Sequence, residues 1–217
     1  RLSSGDTVRI FDEKGGEYKC KIVDYKGKEV NLDILEKYAP VEETFSHTIV
    51  LAQGVTKGSK MEYVIQKSAE LGVDRIIPFC SSRTIPRFDE DKRKEKRLRW
   101  QKIAIEAVRQ SMGKKIPEIS QIVNFEDMLK EEPDANRLLL WEKEGEVGLK
   151  EYLNKRDYEK GFLCVIGPEG GFSCEETDLA KKRGFVPVSL GKRILRTETV
   201  AVVVLSIIMY EIGRIDS

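Results

Sequence analysis

The sequence predicts an α/β protein, a mostly parallel sheet covered by helices and preceded by a small β domain. Three observations predict it. From Thr48 onward, short apolar runs alternate with stretches of helical period, the pattern of β–α–β units. Residues 1–43 instead alternate β-like runs with glycine turns, the pattern of a small barrel or meander. Hydrophobic residues make up 40% of the 217, enough for a sizeable core and too many for a disordered chain.

In the first domain, residues 1–43, the runs are Thr7 to Phe11, Tyr18 to Asp24 and Glu29 to Leu35, separated by Lys14-Gly15-Gly16 and Lys26-Gly27-Lys28. Pro40 and Glu42-Glu43 mark a linker, so the second domain is expected over 44–217. It opens with the apolar run Thr48 to Ala52. Lys60 to Leu71 follows as a helix, with Met61, Val64, Ile65, Ser68 and Leu71 on one face and Gly72 to stop it. Val73 to Phe79 is the next strand. Lys92 to Met112 is the next helix, with Leu98, Ile103, Ala107 and Val108 available for its inner face. Further strands are expected near Pro117 to Val123 and at Arg137 to Trp141, Gly161 to Ile166 and Val186 to Leu190. Between the last two, Ser173 and Glu176 form an S-x-x-E capping box that starts a helix running through Lys182 to Gly184. Val200 to Ile208 reads as a buried helix, far short of the roughly 20 apolar residues that span a membrane.

Composition excludes several classes of function. Lysine plus arginine (38) nearly cancels aspartate plus glutamate (37), so a nucleic-acid surface must come from segregated charge. Cys20, Cys80, Cys164 and Cys174 lie far apart with no C-x-x-C pair and only His47 as a further ligand. No metal site is expected, and the thiols read as buried or incidental in a reducing compartment, the cytoplasm. No signal-peptide pattern opens the chain, which starts at Arg1 rather than methionine.

Two glycine-containing stretches carry the chemistry. GPEGGFS, residues 167 to 173, follows the run Gly161 to Ile166, and in parallel sheets ligands sit beyond the carboxyl ends of strands. Such a loop often cradles phosphate. Here no lysine follows the glycines and Glu169 stands among them, which suits a cation or a hydrogen-bond donor better; a tight turn without a ligand is the plain alternative. The second stretch, SLGKRILRTET at 189 to 199, again lies between a strand and an apolar helix, so the two loops can converge on one pocket. Arg196 and Glu198 fall near its mouth, or else form a solvated ion pair, and Thr197 or Thr199 is expected to cap the helix.

IGPEGGFS at 166 to 173, SLGKRILRTET at 189 to 199 and KMEYVIQKSAELGV at 60 to 73, taken together and in order, resemble the 16S ribosomal RNA uridine-N3 methyltransferases of the knotted SPOUT superfamily. The resemblance spans nearly the whole chain. It implies a trefoil knot in the α/β domain, a PUA-like N-terminal barrel, a homodimer, S-adenosylmethionine as cofactor and small-subunit ribosomal RNA as substrate. Periodicity alone implies no knot. Carried over residue by residue, the resemblance places Leu140, Gly167, Glu169, Gly170, Gly171, Leu190, Gly191, Ile194 and Leu195 around the cofactor. Uridine N3 must lose a proton before it attacks, so Arg196 is the candidate for stabilising the uridine anion or gripping its phosphate. Glu198 is the candidate for accepting the proton or orienting that arginine.

For the RNA, KRKEKRLR at 92 to 99 holds six basic side chains against one acidic. Its Lys92, Arg93, Lys94 and Arg97, with Arg83 and Arg87 upstream, are candidate phosphate contacts, a solvated helix face being the alternative. One stretch departs from the family, which usually has Glu-Gln followed by an arginine before a proline; here Arg109-Gln110 is followed by Gly113 and Pro117, and Lys114 and Lys115 are candidates to compensate. Two rival readings stand beside the main one: a non-catalytic RNA-binding module, and a methyltransferase of the same superfamily acting on another base or on a ribose 2′-hydroxyl.

Overall fold

The computed structural model describes residues 2–12, 16–27, 29–38, 47–86, 88–142 and 147–215. The chain divides into two compact units, residues 1–44 with 114–116, and residues 45–113 with 117–217. The linker markers Pro40, Glu42 and Glu43 lie outside the described residues.

The first unit holds β1 (Thr7–Phe11), β2 (Glu17–Lys26) and β3 (Glu29–Lys37), an antiparallel sheet in the order β1-β2-β3. The β2–β3 turn passes through Gly27 at φ +65°, which a glycine adopts without strain. Cys20 and Ile22, two apart on β2, are buried on one face. Among the described residues the expected barrel or meander is a three-stranded meander.

The second unit runs β4 (Ile49–Gly54), α1 (Lys60–Glu70), β5 (Arg75–Cys80), α2 (Glu90–Gln110), β6 (Glu118–Ile119), β7 (Val123–Asn124) and α3 (Phe125–Met128). It continues with β8 (Asn136–Leu140), β9 (Val147–Gly148), α4 (Leu149–Leu153), β10 (Phe162–Ile166), α5 (Cys174–Lys182), β11 (Val186–Ser189) and α6 (Thr197–Glu211). The strands form one sheet in the order β6-β5-β4-β10-β8-β11-β9, with β7 also on β5, and its neighbours pair in parallel. Every residue of the central strands β4 and β10 is buried, which is why both read as continuous apolar runs. Each buried valine, isoleucine or leucine there contributes about 1.5–3 kcal/mol.

Three expectations change on contact with the structure. The helix α2 starts at Glu90, where the Asp89 carboxylate accepts from Lys92 N at 2.8 Å, and its buried residues are Trp100, Ala104, Ala107 and Val108. Leu98 is 60% exposed, because it lies two residues before Trp100 and so points off the 3.6-residue stripe. The region Pro117 to Val123 supplies two short strands rather than one, both against β5. Neither Thr197 nor Thr199 caps α6: Arg196 is the N-cap and makes no side-chain capping bond, and Thr197 is the first helical residue. The helices α3 and α4 and the strand β9, all short, had no sequence expectation. Among the described residues no helix is long and apolar enough to cross a membrane, and no group of three or more His, Cys, Asp or Glu is placed to hold a metal.

Candidate cofactor site

The strands β8, β10 and β11 deliver their loops at one height. Leu140 is level with Ile166 on one side and with Val188 on the other, and these three residues form a row at the carboxyl edge of the sheet. Three loops leave from that row.

The loop after β10 is GPEGGFS. Gly171 N donates to Pro168 O at 2.8 Å, closing a turn that needs φ +64° at Gly171. Phe172 drives into the core, stacked on Phe79 at 6.2 Å and tilted against Phe125 at 5.6 Å, so the aromatic ring anchors a loop that has few other side chains. The expected capping box is present in both halves, Glu176 N to Ser173 Oγ and Ser173 N to Glu176 Oε2, and α5 starts there. Glu176 Oε1 also accepts from Ser82 N at 2.7 Å, tying the β5–α2 connection to this loop.

The loop is pressed onto β4 from below. A Cβ at Gly54 would stand 2.5 Å from Pro168 N and Cδ, so only glycine allows the approach. The buried Gln53 donates through Nε2 to Gly167 O at 3.3 Å and to Thr197 Oγ1 at 3.1 Å, and Thr197 Oγ1 donates to the same Gly167 carbonyl at 2.7 Å.

The loop after β11 turns on Gly191 at φ +100°, with Gly191 N donating to Ser189 Oγ at 3.1 Å. It then leads through Arg196 into α6. Between these loops and the end of β8 lies a cavity of about 540 Å³, in the range of small-molecule sites. Leu140, Gly167, Glu169 and Gly171 line it from the β8 and β10 side; Leu190, Gly191, Ile194 and Leu195 line it from the β11 side. Arg196 and Glu198 line it as well. Gly170 does not: its carbonyl accepts from Arg83 Nη1 at 2.8 Å, and a Cβ there would meet Arg83 Cβ at 3.0 Å.

The charged groups divide by environment. Glu169 Oε1 accepts from Lys57 N at 3.2 Å and from Lys60 Nζ at 3.1 Å, which joins GPEGGFS to the start of α1. Partial burial raises the Glu169 pKa, but its own backbone N–H, the Lys60 ammonium and the Lys57 N–H outweigh that and hold it below the usual carboxylate value. Arg196 is exposed, whereas Glu198 is half-buried with Oε2 buried and without a hydrogen-bond partner among the described residues. The two make no ion pair with each other among the described contacts, so the alternative of a solvated pair is not seen.

Three of the four candidate phosphate contacts on α2 have partners in the fold. Arg93 Nη1 donates to Ile122 O at 3.0 Å and Arg97 Nε to Ile119 O at 2.7 Å, both at the β6–β7 edge of the sheet, and Lys94 pairs with Glu90 at 3.4 Å. Lys92 is exposed, Arg87 lies outside the described residues, and Lys114 and Lys115, which group with the first unit, each have an interaction partner. Sequence reasoning missed Lys60, Trp141, Val188, Arg193 and Thr197 on the cavity wall. Arg193, Thr197 and Lys60 each lay inside a quoted motif, but Lys60 reaches the cavity from α1, far from both glycine loops in sequence, through tertiary packing.

Residues 43–209 match the RNA methyltransferase domain family. The chain belongs to this family. The RNA methyltransferase domain so defined runs from before β4 into α6 and contains every residue of the cavity wall. Ribosomal RNA small subunit methyltransferase E of Bacillus subtilis is 32% identical over 216 residues, covering 97% of this chain and 84% of that protein. The protein of the same name from Mesomycoplasma hyopneumoniae is 34% identical over 207 residues, covering 92% and 87%. Among solved RNA methyltransferases, the small subunit methyltransferase E from Neisseria gonorrhoeae, bound to S-adenosyl methionine, matches with a TM-score of 0.87 at 28% identity, over 97% of this chain and 85% of that one.

Proposed function

We propose that this chain is an S-adenosylmethionine-dependent methyltransferase that acts on N3 of a uridine in the RNA of the small ribosomal subunit, and so works in the cytoplasm. The observation that carries the reading is the cavity of about 540 Å³ at the β8–β10–β11 edge, walled by glycine loops and lined by Arg196 and Glu198, in a chain with S-adenosylmethionine-bound relatives.

The wall suits the cofactor. Leu140, Leu190, Ile194 and Leu195 offer apolar surface for a flat adenine, while Gly167, Gly171 and Gly191 bring backbone groups close. At Gly171 and Gly191 a Cβ would meet no atom within 4 Å, so both leave open space beside the wall. Glu169 and Glu198 place negative charge near a cationic ligand. Gly170 supports the loop through Arg83 instead of bordering the ligand. When bound, S-adenosylmethionine supplies an electrophilic methyl group on a sulfonium.

The remaining work falls to the chain. Glu198, a carboxylate on the cavity wall that no described residue pairs with, accepts the N3 proton. Arg196, exposed at the mouth, stabilises the negative charge that deprotonation spreads onto the uracil carbonyl oxygens. The cavity walls align the base and exclude water. The deciding experiment incubates the protein with labelled S-adenosylmethionine and small subunits lacking the modification, then maps the methylated nucleoside by mass spectrometry. Methyl on an atom other than uridine N3 overturns the base assignment and leaves the cofactor assignment standing.

The same reading carries the two-domain boundary at 43/44, a PUA-like N-terminal barrel, a knotted C-terminus and a homodimer. The knot is supported by the path of the chain, which leaves β11 beyond β8 and returns as α6 to pack on α1 and β10. A dimer is supported by Ile207 and Tyr210 of α6, which expose 37% and 63% of their surface. Sedimentation equilibrium tests the dimer directly.

A further inference from the structure

Several basic side chains at the arginine-rich start of α2 are held by contacts within the fold. Arg93 and Arg97 are half-buried, and each directs a guanidinium N–H to a backbone carbonyl, of Ile122 and Ile119 respectively. Arg99 pairs with Glu62 at 2.8 Å and Lys94 with Glu90. Arg93 and Arg97 thus hold the β6–β7 edge of the sheet and Arg99 the neighbouring helix α1, while Lys94 pairs within α2.

The loop between β11 and α6 is the opposite case. Lys192 and Arg193 are exposed, and neither has a hydrogen bond or ion pair with any described residue. No acidic residue occurs from Leu190 to Thr197, and the next one, Glu198, turns Oε2 into a buried position. Along this loop, apolar wall residues and cations are interleaved: Gly191, then Lys192 and Arg193, then Ile194 and Leu195, then Arg196, with Arg193 and Arg196 themselves on the wall. The mouth of the cavity thus carries two adjacent exposed cations that no described residue pairs with.

We propose that Lys192 and Arg193 are the phosphate grip for the RNA strand, holding the backbone beside the nucleotide whose base enters the cavity, and that the 92–99 segment is structural. The proposal rests on the reading that RNA is the substrate. Single-stranded RNA loses about 0.7 of a unit of log–log salt slope for each phosphate contact removed. The probe is transcribed small-subunit RNA, and the measurement is its dissociation constant over a series of salt concentrations. The Lys192→Ala/Arg193→Ala double variant is expected to flatten the slope by about 1.4 and weaken binding at low salt, and Lys192→Ala, a residue off the cavity wall, by about 0.7 with S-adenosylmethionine binding retained by calorimetry. A Lys92→Ala/Lys94→Ala variant keeps the wild-type slope. A wild-type slope in the loop variants, or a slope loss confined to the 92–94 variant, overturns the proposal. If the wild-type protein shows the loop-dependent slope yet transfers no methyl group, the grip stands and the enzymatic reading falls.

Discussion

Thr197 Oγ1 donates to the carbonyl of Gly167 at 2.7 Å, joining the first residue of α6 to the first residue of the glycine loop. Gln53 Nε2 donates to both, at 3.1 and 3.3 Å, so a three-residue polar knot sits under the cavity. Thr197→Val keeps the shape and removes the hydroxyl, leaving Gln53 without one of its acceptors and the buried Gly167 carbonyl without its shorter bond. The expected cost is about 1–3 kcal/mol and weaker S-adenosylmethionine binding, with Thr197→Ser close to wild type. Thermal unfolding and calorimetry decide it: a valine variant with wild-type melting and affinity means that the network is incidental.

Gly54→Ala probes the same loop from the other side. Its Cβ would lie 2.5 Å from the Pro168 backbone nitrogen and 2.9 Å from the Gly167 carbonyl carbon, both backbone atoms that cannot swing aside. Overpacking of this kind costs about 1–3 kcal/mol. Cofactor affinity is expected to fall further than this global loss explains, because the displaced segment is itself a cavity wall. Equal stability and affinity in the alanine variant would show that the loop relaxes freely.

What the sequence made legible follows from how local each signal is. The Ser173–Glu176 capping box, the Gly72 and Gly184 stops and the buried strands β4 and β10 depend on neighbours within a few residues, and all are present. On the inner face of α2, Ala107 and Val108 are buried as expected, but Leu98 is exposed and Trp100 takes its place, because the first turns are nearly all charged and offer few apolar residues to fix the phase. Thr197 marks the start of α6, but its hydroxyl serves a carbonyl 30 residues away, which no local pattern encodes. The basic run at 92–99 shows the same limit: charge is visible in sequence, but the carbonyls that Arg93 and Arg97 meet are set by sheet topology.

Arg97→Ala tests that structural role. The lost bond is charge-assisted and reaches the carbonyl of the buried Ile119, so about 1.5–3 kcal/mol of stability should go, read by urea unfolding. A variant of unchanged stability that binds RNA more weakly would return Arg97 to the RNA surface.

The Glu169–Lys60 link carries a pH signature. The folded-state pKa of Glu169 is depressed, so its contribution is present above the unfolded carboxylate value and lost as pH falls through the lower folded one. Wild type should therefore exceed Glu169→Gln in stability at neutral pH, with the difference closing in acid below the ordinary value of 4.5. Both side chains are about one-third exposed, so the difference is small and shrinks further in high salt. A gap that persists unchanged in acid would mean that the amide fails for a steric reason.

Arg196 and Glu198 separate binding from chemistry. Both line the cavity near the start of α6, yet neither contributes a fold-stabilising contact among the described residues: Arg196 makes no side-chain cap, and Glu198 Oε2 has no partner. Replacing them should therefore leave unfolding unchanged, which most site substitutions do not allow. Glu198→Gln keeps the volume and removes the base, so kcat is expected to fall by about 10²–10⁴ with the KM for RNA little altered. Arg196→Ala is expected to abolish methylation while fold and S-adenosylmethionine binding persist, because it acts on charge that develops only as N3 deprotonates. Raising the pH should partly rescue Glu198→Gln, since hydroxide can remove the N3 proton in solution, and should not rescue Arg196→Ala. Single-turnover rates across pH distinguish the two roles, and near-normal turnover in either variant removes that residue from the mechanism.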